Sequence, residues 1–111
     1  MAEVHVETKV DFEKEVLNEK DKVVLVDFWA VWCAPCHMLA PVLKALEEEY
    51  GDKIKIVKVN VDMARELAEE YQIMSIPTVI MFKDGAQVKQ FIGVQPVEVY
   101  KQAIDALLES Q

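Results

Sequence analysis

The sequence predicts an α/β protein: a mixed five-stranded sheet flanked by four helices, in the order β-α-β-α-β-α-β-β-α. Three observations lead there. Short β-branched, apolar runs such as Val23-Val24-Leu25-Val26 alternate with stretches whose apolar residues recur at helical spacing, such as Leu39, Leu43 and Leu46. That alternation calls for parallel strands joined by crossover helices. Between the last two runs stands Asp84-Gly85, a two-residue hairpin signal that closes the sheet with an antiparallel pair. The 111 residues, 52% hydrophobic and 29% charged, suit one domain over 1–111 with a core that needs no disulfide staples.

Each element has its own reason. Glu3–Glu7 alternates around Val4 and Val6 and predicts a short first strand at a sheet edge, with His5 as an ordinary strand histidine. Thr8 caps a first helix that turns Phe12, Val16 and Leu17 inward and ends near 18–21. Lys22–Trp29 is apolar without alternation, as a central strand covered on both faces must be. The next helix carries Cys36, Leu39, Ala40, Leu43 and Leu46 and runs to about Tyr50, with Gly51 near its end. Pro41 inside it predicts a kink, not a second helix, and the Glu47–Glu49 run a solvated face. Lys53–Asp62 is the third strand and Ala64–Tyr71 a short helix with Leu67, Ala68 and Tyr71 inward. Val79–Lys83 and Gln87–Ile92 form the hairpin, and Gly93 ends it where a missing Cβ would admit another backbone. Pro96 opens the last helix, which buries Val99, Tyr100, Ala103, Ile104, Leu107 and Leu108.

A net charge of −8, from 12 basic and 20 acidic residues, argues against nucleic acid or an anionic membrane as partner. The acidic start, Met-Ala-Glu-Val, lacks the basic and apolar regions of a signal peptide, and no run is long enough to span a bilayer. The expected location is therefore the cytoplasm. There a close cysteine pair is catalytic or metal-binding before it is structural.

Both cysteines, Cys33 and Cys36, fall where the central strand hands over to a helix, just after Trp29 and Trp32. Free amide N–H groups and the positive end of the helix dipole collect at such a place and favour a thiolate. Pro35 suits an early helical position. Four chemistries use this spacing. In dithiol–disulfide exchange, Cys33 attacks and Cys36, one turn on, resolves; Cys33 is then expected to be accessible and acidic, Cys36 buried. Covalent haem attachment would use Cys33, Cys36 and His37 as Cys-x-x-Cys-His. Structural zinc would need Cys33, Cys36, His5 and His37, or two chains would share an iron–sulfur cluster. The fourth is a binding module that merely keeps the fold. Two charged residues stand out nearby. Asp27 lies in the central strand, where a carboxylate is costly unless paired; it is either a strand-end cap or a buried proton acceptor close to the cysteines. Lys58, mid-strand, either snorkels to the surface or partners Asp27.

The run Val-Asp-Phe-Trp-Ala-Val-Trp-Cys-Ala-Pro-Cys resembles the active-site segment of the thioredoxin family. Lys58, Ser75-Ile76-Pro77-Thr78, Lys83-Asp84-Gly85 and Gly93 follow in the family's order, so the resemblance spans almost the whole chain. It implies the thioredoxin fold and a monomeric protein-disulfide reductase without a bound cofactor or metal, acting on target proteins that carry disulfides. Electrons would come from a separate thioredoxin reductase of the flavoenzyme or ferredoxin-linked type. It further implies Asp27 as proton acceptor for Cys36, Lys58 as its cationic moderator, and a cis Ile76–Pro77 bond against the disulfide. Trp32, Met74, Ile76, Pro77 and Gly93 would form the apolar platform for target peptides. The chain departs from the family at Ala34, more often glycine, at His37, more often basic, and at Gln72 and Met74. Ala34 and His37, with Pro35, therefore bear on redox poise, His37 through a charge that changes near neutral pH. Gln72 and Met74 bear on target preference.

Overall fold

The structure, a computed structural model, describes residues 3–109. β1 (Val4–His5) leads to α1 (Lys9–Phe12), which continues directly into a π-helical turn, Glu13–Leu17. β2 (Val23–Trp29), α2 (Ala34–Tyr50), a 3₁₀ turn (Gly51–Lys53), β3 (Ile54–Asn60) and α3 (Arg65–Glu70) follow, then β4 (Thr78–Lys83), β5 (Ala86–Ile92) and α4 (Val97–Glu109). The strands order as β1-β3-β2-β4-β5, with β1, β3 and β2 parallel and β4 and β5 antiparallel. This is the mixed sheet expected, with the continuous apolar strand β2 at its centre.

Strand alternation divides the core in two. Val24, Val26, Phe28, Val57, Val59, Ile80 and Phe82 face one way, onto Phe12, Val16 and Leu67. Val23, Leu25, Ile54, Ile56, Val79 and Met81 face the other, onto Leu39, Leu43 and Leu46 of α2 and Tyr100 and Ile104 of α4. By parity Asp27 and Lys58 belong to this second face, the one that α2 covers. The site therefore grows out of a core layer, at the end of the strands.

Local chemistry accounts for most boundaries. The Thr8 hydroxyl accepts from Asp11 N–H at 3.1 Å and caps α1 as expected. Helix α2 is one helix with Pro41 inside it, and Gly51 ends it at φ 56°, its N–H bonded to Glu47 O. The first strand is shorter than Glu3–Glu7: only Val4 and His5 pair, with Val57 and Lys58, after which Val6 N–H makes a last bond to Lys58 O at 3.0 Å. A strand at an edge has one neighbour to extend along, and here the chain turns away into the Thr8 cap.

The hairpin turn supplies a stability test. Asp84 and Gly85 both have positive φ, 52° and 81°, as a two-residue turn matched to the sheet's twist requires. A Cβ on Gly85 would stand 2.7 Å from Leu17 O, a backbone atom that cannot swing aside. Gly85→Ala thus adds a clash to a strained φ. It is expected to lower unfolding free energy by about 2–3 kcal/mol, read as a lower midpoint in urea at unchanged slope.

Candidate functional site

The site forms where β2 leaves the sheet. Ala30 O accepts from Cys33 N–H at 3.2 Å, and the chain then enters α2 with Cys33 as its N-cap. Pro35 lies in the first helical turn, where no N–H is missed. Cys33 and Cys36 are joined by a disulfide, with Cα atoms 5.3 Å apart. Cys36 N–H donates to Cys33 Sγ at 3.2 Å, and Cys33 O accepts from Cys36 N–H and His37 N–H. The expected contrast in exposure is absent in this oxidised centre: Cys33 is 4% and Cys36 3% exposed. In the closed disulfide both cysteines pack against Ala30, with Trp29, Val61 and Ile76 around them. What separates the two is the amide at Cys33 Sγ and its place at the helix N-terminus. Both lower the cost of negative charge on that sulfur.

Asp27 is wholly buried. It stands opposite Lys58 in the β2–β3 register, and Lys58 Nζ lies 3.3 Å from its Oδ2. Beyond this ion pair, its oxygens have no hydrogen-bond partner among the described protein groups. Burial pushes the carboxyl up from 3.8 to about 6, against the opposing pull of the Lys58 charge. Lys58 itself is 8% exposed, its ammonium 4.9 Å from the centre of the Trp29 ring. Trp29 in turn meets the His37 ring edge-on, centroids 6.4 Å apart.

The His37 Nε2–H donates to Val31 O at 2.6 Å, fastening the first turn of α2 to the loop before it. His5 lies at the opposite end of the sheet order from β5, on edge strand β1. Among the described residues no three His, Cys, Asp or Glu side chains group as metal ligands.

Around the disulfide the surface is apolar. Trp32 is 70% exposed and Met74 93%, and with Ile73, Ser75 and Ile76 they line a groove of about 370 Å³. The Ile76–Pro77 peptide bond is cis, Pro77 is buried, and Pro77 O accepts from Gly93 N–H at 2.8 Å. Gly93 has φ 81°, and nothing lies within 4 Å of where its Cβ would be. Its backbone conformation therefore asks for glycine, while the space beside it stays open. One residue escaped the reading of the sequence: Asp62 Oδ2 accepts from Trp32 Nε1–H at 2.8 Å and holds the indole over the site. Its signal was the Asn60-Val61-Asp62 turn, in which Asn60 Oδ1 accepts from Asp62 N–H at 2.9 Å.

Comparison with known proteins bears on the same residues. The family model described as Thioredoxin matches residues 3–106. A thioredoxin of Alicyclobacillus acidocaldarius is 50% identical over 91 residues, covering 82% of this chain and 85% of the relative. One of Bacillus subtilis is 51% identical over 83 residues, 75% of this chain and 80% of the relative. One of Staphylococcus aureus is 47% identical over 98 residues, 88% and 91% of the two chains. The paired cysteines at the start of α2 make this a redox-active disulfide, and the chemistry is that of a protein-disulfide reductase, which works with a reductase on one side and disulfide targets on the other. From the first strand to the last helix the matched residues and the observed topology agree, and the chain belongs to the thioredoxin family.

Proposed function

We propose that electrons pass from this chain to target proteins in two steps, with Cys33 as attacking and Cys36 as resolving thiol. The Cys33 thiolate attacks one sulfur of a target disulfide, forming a mixed disulfide and releasing the first target thiolate. Cys36, losing its proton to Asp27, attacks Cys33 Sγ; the intramolecular disulfide re-forms and the second target thiolate leaves. The observation that carries the reading is the Cys36 N–H on Cys33 Sγ at the N-cap of α2, 3.2 Å long. Effective concentration favours resolution, because both sulfurs lie within one helical turn. Asp27, buried and shifted to about 6, both takes and returns a proton near neutral pH, and Lys58 keeps it from rising further.

Trp32, Met74 and Ile76, with the Pro77–Gly93 backbone, receive the target segment. The groove beside the disulfide and the open space at Gly93 support this. Ala34, Pro35 and His37 set the poise of the pair: Ala34 and Pro35 by stiffening the turn, His37 through its bond to Val31 O. The two electrons are carried by the reduced Cys33 and Cys36 thiols and pass to the target as their disulfide re-forms, so the exchange calls for no bound cofactor. They come from a thioredoxin reductase of the flavoenzyme or the ferredoxin-linked type. One sheet with a core on each face supports a single domain over residues 1–111. A net charge of −8 favours a monomer, and a close cysteine pair with catalytic work to do favours the cytoplasm. Insulin reduction followed by turbidity, with each type of reductase as donor, tests the reading. Turnover with one of them is expected; failure with both, alongside a stoichiometric metal or haem signal, would overturn it.

A further inference from the structure

Met74 is the most exposed of the large apolar side chains described, at 93%. It does not hang from a loose segment. Ile73 N–H donates to Ala68 O at 2.9 Å on one side, and the Thr78 hydroxyl to Ser75 O at 2.7 Å on the other. Gln72, at φ 55°, turns the chain sharply out of α3 just before it. An anchored backbone thus presents a hydrated thioether that does nothing for the fold's own core. Met74 shares its groove with Trp32 and with Ile76, and Ile76 packs on the disulfide cluster. A thioether adapts its shape to varied apolar partners, and it is also readily oxidised where exposed.

We propose that Met74 is a peroxide-sensitive modification site, at which oxidation to the sulfoxide impairs docking of protein targets while the disulfide chemistry survives. This rests on the reading of the groove as the target-docking surface. The oxidant is a hydroperoxide. The sulfur lone pair attacks the peroxide oxygen, an S–O bond forms as the O–O bond breaks, and water leaves when the oxidant is hydrogen peroxide. Sulfur loses two electrons and the peroxide gains them. In the oxidised protein Cys33 and Cys36 offer no thiol to compete. The sulfoxide then places a strong acceptor where a target brings apolar surface, and burying it unpaired is unfavourable. A small disulfide, which reaches the sulfur pair without covering the groove, is spared. The other methionines among the described residues serve as references. Met38 and Met63 are 66% and 62% exposed but do not line the groove, and Met81 is wholly buried.

The test treats the disulfide form with hydrogen peroxide, removes the excess with catalase, maps the methionines by peptide mass spectrometry and assays two substrates. Met74 sulfoxide should accumulate ahead of that at Met38 and Met63. The insulin rate should fall about fivefold, while reduction of a small aromatic disulfide stays within about 1.5-fold. Met74→Leu should keep its own untreated insulin rate after peroxide, whereas Met38→Leu and Met63→Leu should lose rate as the wild type does. The proposal is overturned if Met74 is not oxidised first, or if Met74→Leu is as peroxide-sensitive as the wild type. Met74→Gln, assayed without peroxide, examines the docking surface separately. If it reduces insulin as fast as the wild type, docking at Met74 is wrong and the proposal falls with it. If it is slowed while peroxide leaves the wild type unaffected, docking stands and only the oxidation proposal fails.

Discussion

Replacing Cys36 by serine should stop the protein at the mixed disulfide, with a target chain still bonded to Cys33. The first attack needs only the Cys33 thiolate, and the serine variant keeps the amide of residue 36 that donates to Cys33 Sγ. The second step has lost its nucleophile. Resolution must then wait for a thiol from solution, without the effective concentration that a partner one helical turn away provides. Turnover on insulin should drop on the order of a thousandfold or more, and the trapped adduct should appear as a reducible band on a non-reducing gel. Cys33→Ser should lose turnover as fully but trap nothing, because Cys36 lies inside α2 without an equivalent amide contact. Adducts formed by Cys33→Ser and not by Cys36→Ser would reverse the two roles. Since the oxidised centre covers both sulfurs alike, alkylation at mildly acidic pH has to be read on the reduced protein, where Cys33 is expected to label first.

The order of elements was readable because its signals are local. The Thr8 cap, the Asp84-Gly85 turn and the continuous apolar run of β2 each act within a few residues, and each stands where the sequence put it. What stayed hidden depends on partners far along the chain. The π turn at Glu13–Leu17 is tied down by Lys55, whose amine reaches Glu15 O at 2.9 Å and Glu15 Oε1 at 2.8 Å across forty positions. No periodicity within α1 announces that. The Trp32–Asp62 bond joins residues 30 apart and likewise has only a turn signature at one end. The Asp27–Lys58 pairing lies between these cases. Two charged residues in apolar strands marked it as unusual, but the register that sets them opposite each other belongs to the sheet. The near-equal burial of the cysteines in the closed disulfide was not legible for another reason: position relative to the helix speaks of charge stabilisation on a free thiol, and the closed bond leaves both sulfurs covered.

Asp27→Asn should make the protein more stable at neutral pH and slower at resolving the mixed disulfide. The stability effect follows from the carboxyl's shift from 3.8 to about 6. Between those values the folded chain holds a proton that the unfolded chain has released, so stability falls as pH rises through the window. Above it the charged group costs the fold about 3 kcal/mol relative to a neutral one, and below it nothing. The shift already includes the attraction of Lys58, which faces a neutral group alike beside protonated Asp27 and beside asparagine. Its ammonium keeps the Trp29 face at 4.9 Å in both cases. The net gain should be about 2–3 kcal/mol near pH 7.5 and should shrink toward zero as pH falls to about 4, measured as paired urea unfolding curves. Kinetically, the role proposed for Asp27 leaves the variant without the base that takes the Cys36 proton. Decay of a preformed mixed disulfide should slow by about tenfold or more, while its formation by Cys33 changes far less. A variant that is less stable at neutral pH yet resolves the mixed disulfide at the normal rate would remove Asp27 from both roles, leaving the buried pair with Lys58 as a structural feature alone.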